Sequence, residues 1–221
     1  KRIVFPEGDN VKVLRACQII VDEGIARPIL LGKAERISER CRELGIDLSS
    51  RGVEIIHPTA APQYESYLQE FFQLRCRKGV TLQVARRLVA RRIYFGMMMV
   101  KHADAAGLVA GLTSPYPETI RPALQIVGIR PDVKRVAGMH MMLVKSGVKF
   151  FADATVNIDP DAETLADIAI QVADAVRAFE VEPRIAMVSF SNFGSAPHPE
   201  SQRVATAVKI IHRLRPELKV D

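Results

Sequence analysis

Short apolar runs alternate with segments of helical periodicity along the first 130 residues. The predicted strands are residues 2–5, 28–31, 53–56 and 107–110. The predicted helices are residues 10–23, 34–44, 62–76, 81–102 and 118–127. Asp9 is the candidate N-cap of the first helix, and Pro122 must lie in the first turn of the last one. This alternation predicts an α/β fold with a mainly parallel sheet.

The pattern changes at Arg130-Pro131-Asp132, which we take as a domain boundary between residues 1–131 and 132–221. Two consecutive strands follow, and their order predicts an antiparallel hairpin. The remaining elements are a long amphipathic helix, a strand and a further helix. Their predicted ranges, with the two hairpin strands first, are 136–144, 148–153, 161–180, 185–190 and 200–213.

The composition is that of a water-soluble protein. Of its 221 residues, 48% are hydrophobic and 25% are charged. No apolar run reaches the roughly 18 residues that a membrane helix needs, and no secretory signal is visible, so we expect a cytoplasmic protein without a membrane partner. Three cysteines without a CxxC pair indicate reduced thiols, and five scattered histidines predict no metal site.

The positive charge is concentrated in one window. The net charge is +6, but residues 71–103 contain eight cations and no carboxylate. These cations are Arg75, Arg77, Lys78, Arg86, Arg87, Arg91, Arg92 and Lys101. This positive charge could be neutralised by an anionic ligand or by an acidic protein surface, or it could simply be solvated. Nucleic acid is not expected, because no RNA-binding or helix-turn-helix signature is present and few aromatic residues lie among the cations.

A glycine-serine segment, SFSNFGSA at residues 189–196, follows an apolar strand and precedes a helix. Backbone N–H groups at such a turn can bind phosphate or carboxylate, which makes Ser191, Gly194 and Ser195 candidate anion ligands. The alternative is a turn that only caps the helix. Asp104 and Asp153 lie near the ends of predicted strands, where side chains of α/β proteins often face a ligand. Either could equally cap a turn or pair with a neighbouring residue.

Several segments together resemble the phosphotransacetylase family, whose glycine-serine loop usually has the form SxSTKGSA. Besides residues 189–196, the matching segments are 5–8 (FPEG), 74–79 (LRCRKG), 95–100 (FGMMMV), 103–111 (ADAAGLVAG), 119–126 (TIRPALQI), 151–157 (FADATVN) and 220–221. The variant SNFGSA, followed by His198-Pro199, is most similar to the phosphotransacetylase-like C-terminal domain of bacterial NADP-dependent malic enzymes.

The resemblance implies a three-layer α/β/α architecture of two domains, like that of isocitrate and isopropylmalate dehydrogenases, in a protein that forms homo-oligomers. It implies that a C-terminal portion is missing and that the second domain is partial. It also implies that Arg121 and Arg75, with Arg77 and Lys78 beside it, bind coenzyme A or another anion.

Two loops depart from the catalytic pattern. Asn192-Phe193 stands where relatives have Thr-Lys, and residues 113–119 (TSPYPET) replace an HSS/HST-D-T segment. The family's proposed base and acyl-phosphate groups lie in the missing portion, so no catalytic residue is assigned.

Three hypotheses follow. The first is an acetyl-CoA-binding regulatory and oligomerisation domain of a malic enzyme. Its catalytic domain, elsewhere in the same chain, would convert malate to pyruvate with NADP and Mg²⁺ or Mn²⁺, while this domain needs no cofactor. The second is an active phosphate acetyltransferase, which makes acetyl-CoA and phosphate from acetyl phosphate and CoA. The third is a purely structural dimerisation platform.

Overall fold

A computed structural model describes residues 1–48, 50–192 and 195–221. The chain divides into two compact units, Lys1–Gly128 and Ile129–Asp221. The boundary expected from the sequence lies after residue 131. Within the described residues, no helix is long and apolar enough to span a bilayer.

The first unit is built on a parallel sheet of four strands. These are β1 (Arg2–Phe5), β2 (Arg27–Leu31), β3 (Glu54–Ile56) and β4 (Gly107–Leu108), in the order β3-β2-β1-β4. Val4 of β1 is paired with Ile29 on one side and with Leu108 on the other. The mainly parallel α/β sheet predicted from the sequence is therefore confirmed.

Six α-helices accompany this sheet in the described part of the first unit. They are α1 (Val11–Asp22), α2 (Ala34–Leu44), α3 (Tyr64–Arg75), α4 (Leu82–Val89), α5 (Arg92–Lys101) and α6 (Tyr116–Ile126). Asn10, rather than the predicted Asp9, caps α1 by accepting a hydrogen bond from the Lys12 N–H. This difference frees the Asp9 carboxylate for ion pairs.

The start of α6 also differs from the prediction. The helix begins at Tyr116, directly after Pro115, so Pro122 lies inside it rather than in its first turn. Arg121 is consequently a mid-helix residue. The interaction of a charge with the helix dipole falls off within the first turn, so the dipole gives no reason to expect an anion beside Arg121.

The alternation of side chains along β1 and β2 separates two hydrophobic cores, one on each face of the sheet. Val4, Ile29 and Leu31 pack with α3, α4, α5 and α6 on one face. Phe5 and Leu30 pack with α1 and α2 on the other. The first unit therefore has the expected three layers, helix–sheet–helix.

Gly96 of α5 allows this helix to lie directly on the sheet. A Cβ atom at this position would be 2.6 Å from Leu108 Cδ1 and 3.0 Å from Val4 Cγ1. Both distances are too short for ordinary van der Waals contact, so the sequence FGMMMV brings the buried face of α5 onto β1 and β4 only because position 96 has no side chain.

The second unit contains an antiparallel hairpin of β5 (His140–Val144) and β6 (Gly147–Phe151), with Met142 paired to Lys149. It also contains α7 (Ala162–Arg177), β7 (Arg184–Ile185), α8 (Pro199–Leu214) and β8 (Lys219–Val220). The helices α7 and α8 pack through small side chains, including Ala169, Ala173 and Ala207. Strands β5 and β7 are shorter than predicted, because the mainly apolar residues 136–139 and 186–190, from which the longer strands were predicted, lie outside the strands of the structure.

Candidate functional site

The predicted coenzyme A ligands of the first unit begin at the C-terminal end of α3. Arg75 is the last residue of that helix, and a 3₁₀ turn (Cys76–Lys78) follows it and ends at Gly79, whose φ of 83° is left-handed. Arg75 is half-buried, and its Nε atom is buried without a hydrogen-bond partner among the described residues. A buried donor that lacks an acceptor is a site at which a ligand gains binding energy.

Arg121 approaches the same region from α6. The Tyr94 hydroxyl donates to Gln125 Oε1 at 3.0 Å. Burial raises the pKa of Tyr94, whereas the positive charges of Arg91, Arg121 and Arg75 oppose that increase. The positive charges of α3, α5 and α6 therefore act together on one phenol. Arg91 also lies over the Tyr94 ring, 5.9 Å from its centroid.

Carboxylates from outside residues 71–103 form ion pairs with four of the eight cations in that segment. Arg86 pairs with Glu65 at 3.3 Å, Arg91 with Glu118 at 3.0 Å and Arg92 with Asp9 at 2.6 Å. Lys101 is 4.0 Å from Glu70. The other four cations have no ion-pair partner in the described part of the chain: Arg75, Arg77, Lys78 and Arg87. The unanswered charge thus lies around the C-terminal end of α3 and on α4.

A cavity of about 670 Å³ lies beyond the carboxyl ends of β1 and β4. Its walls include Asp9, Arg36, Arg40, Arg92 and Thr119. The sequence did not reveal this group, since its members come from four separate segments. Only the parallel sheet, which collects the ends of its strands at one edge, places them together.

The serine residues of the second unit form a local network. Ser189 Oγ donates to the Ser191 carbonyl oxygen, and Ser191 Oγ lies 3.3 Å from Ser195 Oγ. Ser191 Oγ also accepts the Ala196 N–H at 3.0 Å. The candidate ligands Ser191 and Ser195 are thus neighbours, while the third one, Gly194, lies outside the described residues.

The start of α8 adds a capping box to this network. His198 Nδ1 accepts the Glu200 N–H, and Ser201 Oγ accepts the His198 N–H. Several backbone donors of the segment therefore already have acceptors within it. An anion bound at these N–H groups would have to replace such internal bonds.

The two aspartates singled out at strand ends are engaged locally. Asp104 accepts a hydrogen bond from the Tyr67 hydroxyl, and the pKa of Tyr67 is raised first by burial and then by this contact. Burial opposes ionisation of Asp153, but donors of Thr155, Val156 and Asn157 outweigh it and lower the pKa of Asp153. The described residues contain no cluster of three or more potential metal ligands.

The whole chain, residues 1–221, matches the model of the phosphate acetyl/butaryl transferase family. The chain belongs to this family. A phosphate acetyltransferase of Thermoanaerobacterium thermosaccharolyticum is 41% identical over 228 residues, which cover 100% of this chain and 68% of that protein. The NADP-dependent malic enzyme of Escherichia coli K12 is 38% identical over 224 residues, which cover 100% of this chain but 29% of that enzyme.

The fold of this family member agrees with those matches. A phosphotransacetylase from Streptococcus pyogenes superimposes with a TM-score of 0.90 at 35% identity, over 100% of this chain and 67% of that one. The resemblance found in the sequence is thereby confirmed. This family occurs both as phosphate acetyltransferases and as a region of malic enzymes, and the chain spans under a third of the malic enzyme that it matches.

Proposed function

We propose that the first unit binds the phosphate groups of an acyl-CoA, acetyl-CoA in the first instance, through the cations around Arg75 and Arg121. The observation that carries this proposal is the buried Nε of Arg75, which has no partner among the described residues. The charges of Arg75 and Arg121 also both lower the pKa of the same phenol, Tyr94, against the effect of its burial. Arg77 and Lys78, exposed in the adjoining turn, extend the positive surface.

Coenzyme A fits this arrangement because it carries a diphosphate and a 3′-phosphate at one end. Guanidinium groups bind phosphate oxygens through paired, charge-assisted hydrogen bonds. A half-buried Arg75 with an unsatisfied donor gains more from such a bond than an exposed arginine, whose donors are already hydrated.

We propose that the chain is a regulatory and oligomerisation domain of a malic enzyme, which oxidises and decarboxylates malate to pyruvate, and that acyl-CoA binding serves the regulation. The match to 29% of the Escherichia coli NADP-dependent malic enzyme supports this assignment. NADP and Mg²⁺ or Mn²⁺ would be bound by the catalytic domain of the same polypeptide. Acetyl-CoA would then control malate oxidation only to the extent that it binds one conformation of the enzyme better than another.

The second candidate is phosphate acetyl transfer itself, and the 41% identity to a phosphate acetyltransferase favours it. In that reaction the CoA thiolate attacks the carbonyl carbon of acetyl phosphate. A carbon–sulfur bond forms, the carbon–oxygen bond to phosphate breaks, and phosphate leaves. Arg121 would stabilise the developing negative charge.

Calorimetric titration of acetyl-CoA into the protein tests acyl-CoA binding, which both candidate functions require. Arg75→Gln and Arg121→Gln are each expected to weaken binding about tenfold, the effect of losing one charge-assisted hydrogen bond. Arg15→Gln is the matched control, since Arg15 is an exposed arginine of α1 outside this region. Equal affinity in all four proteins, or no binding to folded protein, would refute acyl-CoA binding at this site.

Two activity measurements then separate the candidates. Formation of acetyl-CoA from acetyl phosphate and CoA identifies an acetyltransferase. Malate oxidation by the full-length protein that changes with acetyl-CoA concentration, and changes less in the Arg121→Gln variant, identifies the regulatory domain. A malate oxidation rate that acetyl-CoA leaves unchanged would contradict the regulatory role.

A further inference from the structure

Tyr94 of α5 is a buried phenol that contacts both helices of the acyl-CoA site, α3 and α6. Only 3% of this residue is exposed, and it belongs to the core on one face of the sheet. Its ring meets Phe71 of α3 edge-on, with ring centroids 5.6 Å apart and an interplanar angle of 82°. Its hydroxyl donates to Gln125 Oε1 of α6 at 3.0 Å. One side chain of α5 therefore connects α3 with α6.

Both contacts lie one helical turn from an arginine of the acyl-CoA site. In α3, Phe71 precedes Arg75 by four residues. In α6, Gln125 follows Arg121 by the same number. Side chains four residues apart lie on the same face of a helix, one above the other. Tyr94 therefore contacts the neighbour of each arginine on the helix surface, and its size sets the spacing of the two helix faces that bear them.

The backbone around Arg121 has fewer internal hydrogen bonds than that of an ordinary helix. Pro122 lies inside α6 and has no N–H, so it cannot bond the carbonyl oxygen one turn earlier. The start of α6 has no side-chain cap either. Side chains from the N-cap and first turn of α5 hold this helix on both sides of the proline, by the ion pair to Glu118 and the hydrogen bond from Tyr94 to Gln125. The bond to Gln125 thus fixes the part of α6 that follows Arg121.

The hydroxyl, rather than the ring, supplies the directional part of this arrangement. Burial raises the pKa of Tyr94, so the phenol remains protonated at neutral pH and can donate. A phenylalanine would fill nearly the same space, but it would leave the Gln125 amide without its donor. A hydrogen bond requires a donor–acceptor distance of about 3 Å and a narrow range of angles, whereas apolar packing tolerates small displacements of α6.

We propose that Tyr94 is a positioning residue of the acyl-CoA site. By holding α3 and α6 together, it fixes the separation of Arg75 and Arg121, and it acts through these arginines rather than by touching the ligand. The inference rests on the acyl-CoA binding proposed above. A ligand with several phosphate groups gains fully from both arginines only when their spacing is already set, since otherwise binding includes the entropy cost of ordering them.

Calorimetric titration of acetyl-CoA into the full chain tests the proposal. Tyr94→Phe and Gln125→Met are each expected to weaken binding about fivefold, the effect of one neutral hydrogen bond, and the double variant should weaken it no further. Tyr67→Phe is the matched control, because Tyr67 is a tyrosine of the same core, 2% exposed, whose hydroxyl bonds Asp104 instead of α6. We expect its affinity for acetyl-CoA to equal that of the wild type.

Two readouts distinguish positioning of the arginines from a general loss of stability. In an Arg121→Gln background, Tyr94→Phe should change the affinity by less than about twofold, because the arginine whose position it sets is no longer there. In protein whose tyrosines carry ¹³C at Cζ, saturation with acetyl-CoA should shift the resonance of Tyr94 and leave that of Tyr67 in place. The reason is that phosphate bound to Arg121 or Arg75 alters the charges that act on the Tyr94 phenol.

The outcomes separate this inference from the proposed function. Failure of the wild type to bind acetyl-CoA overturns the proposed function and this inference with it. If the wild type binds but Tyr94→Phe and Gln125→Met bind equally well, acyl-CoA binding stands and the positioning role is overturned. The role is also overturned if Tyr67→Phe weakens binding as much as Tyr94→Phe, or if Tyr94→Phe has the same effect with and without Arg121, because the hydroxyl would then contribute only to stability.

Discussion

Substitution of Gly96 by alanine tests how closely α5 packs on the sheet. In an exposed helix this change stabilises a protein by about 1 kcal/mol, because alanine has the higher helix propensity. At position 96 the new Cβ would meet Leu108 Cδ1 at 2.6 Å and Val4 Cγ1 at 3.0 Å. Leu108 can change rotamer, but Val4 is fully buried and β-branched, so it cannot move away easily.

Overpacking of this kind costs about 1–3 kcal/mol, so its central value of about 2 kcal/mol exceeds the gain in propensity. We therefore expect Gly96→Ala to lower the free energy of unfolding by about 1 kcal/mol, the midpoint of the difference between these two effects. The assay is guanidinium denaturation at 25 °C, in which the midpoint falls while the m-value stays constant.

A double-mutant cycle with Leu108→Ala identifies the cause. Removing the leucine side chain relieves the closest contact, so the double variant should be more stable than the sum of the single effects predicts, by about 1 kcal/mol. A Gly96→Ala protein that is more stable than the wild type, with effects that add in the double variant, would refute the close approach of α5 to β1 and β4.

Two further substitutions test contacts that anchor the candidate sites. Asp9→Asn should lower the free energy of unfolding at pH 7 by about 2 kcal/mol, since Arg92 loses its charged partner. The hydrogen bond from Arg92 lowers the pKa of Asp9, so its contribution is present above the unfolded pKa of about 3.9 and is lost as the pH falls towards the folded value. Acid denaturation monitored by circular dichroism should show this loss in the wild type, and an equal loss in the variant would contradict it. Ser201→Ala removes the capping box of α8 and should lower stability by about 1 kcal/mol, measured by urea denaturation. Thr206→Ala, an exposed hydroxyl of the same helix, is the control and should change stability by less than about 0.5 kcal/mol.

Most elements of the fold could be predicted from the sequence because their signals are local. The apolar run RIVF and the helical spacing of Val13, Leu14 and Cys17 predicted β1 and α1 within one or two residues. The boundary of α6 was predicted less well. Proline is compatible both with the first turn of a helix and, at a cost in stability, with its interior, and only the packing of Pro122 and Ile126 decides between them.

The candidate site was predicted only in part, because only some of its residues belong to a signal that is local in the sequence. Arg75 and Arg121 could be named from the motifs LRCRKG and TIRPALQI, because each motif is a contiguous segment. The contribution of Tyr94 could not be predicted, since nothing in its neighbourhood along the chain indicates that its hydroxyl bonds Gln125 or that the charges of Arg75 and Arg121 act on it.

The sequence by itself determined the order of strands and helices, the parallel α/β class of the first unit and the family to which the chain belongs. The tertiary structure alone decided which charged side chains form ion pairs and which do not. Asp9 and Arg92 are 83 residues apart, and their ion pair exists because β1 ends and α5 begins at the same edge of the sheet. Secondary structure follows from neighbours along the chain, whereas the electrostatics of a site follows from distances that only the folded chain fixes.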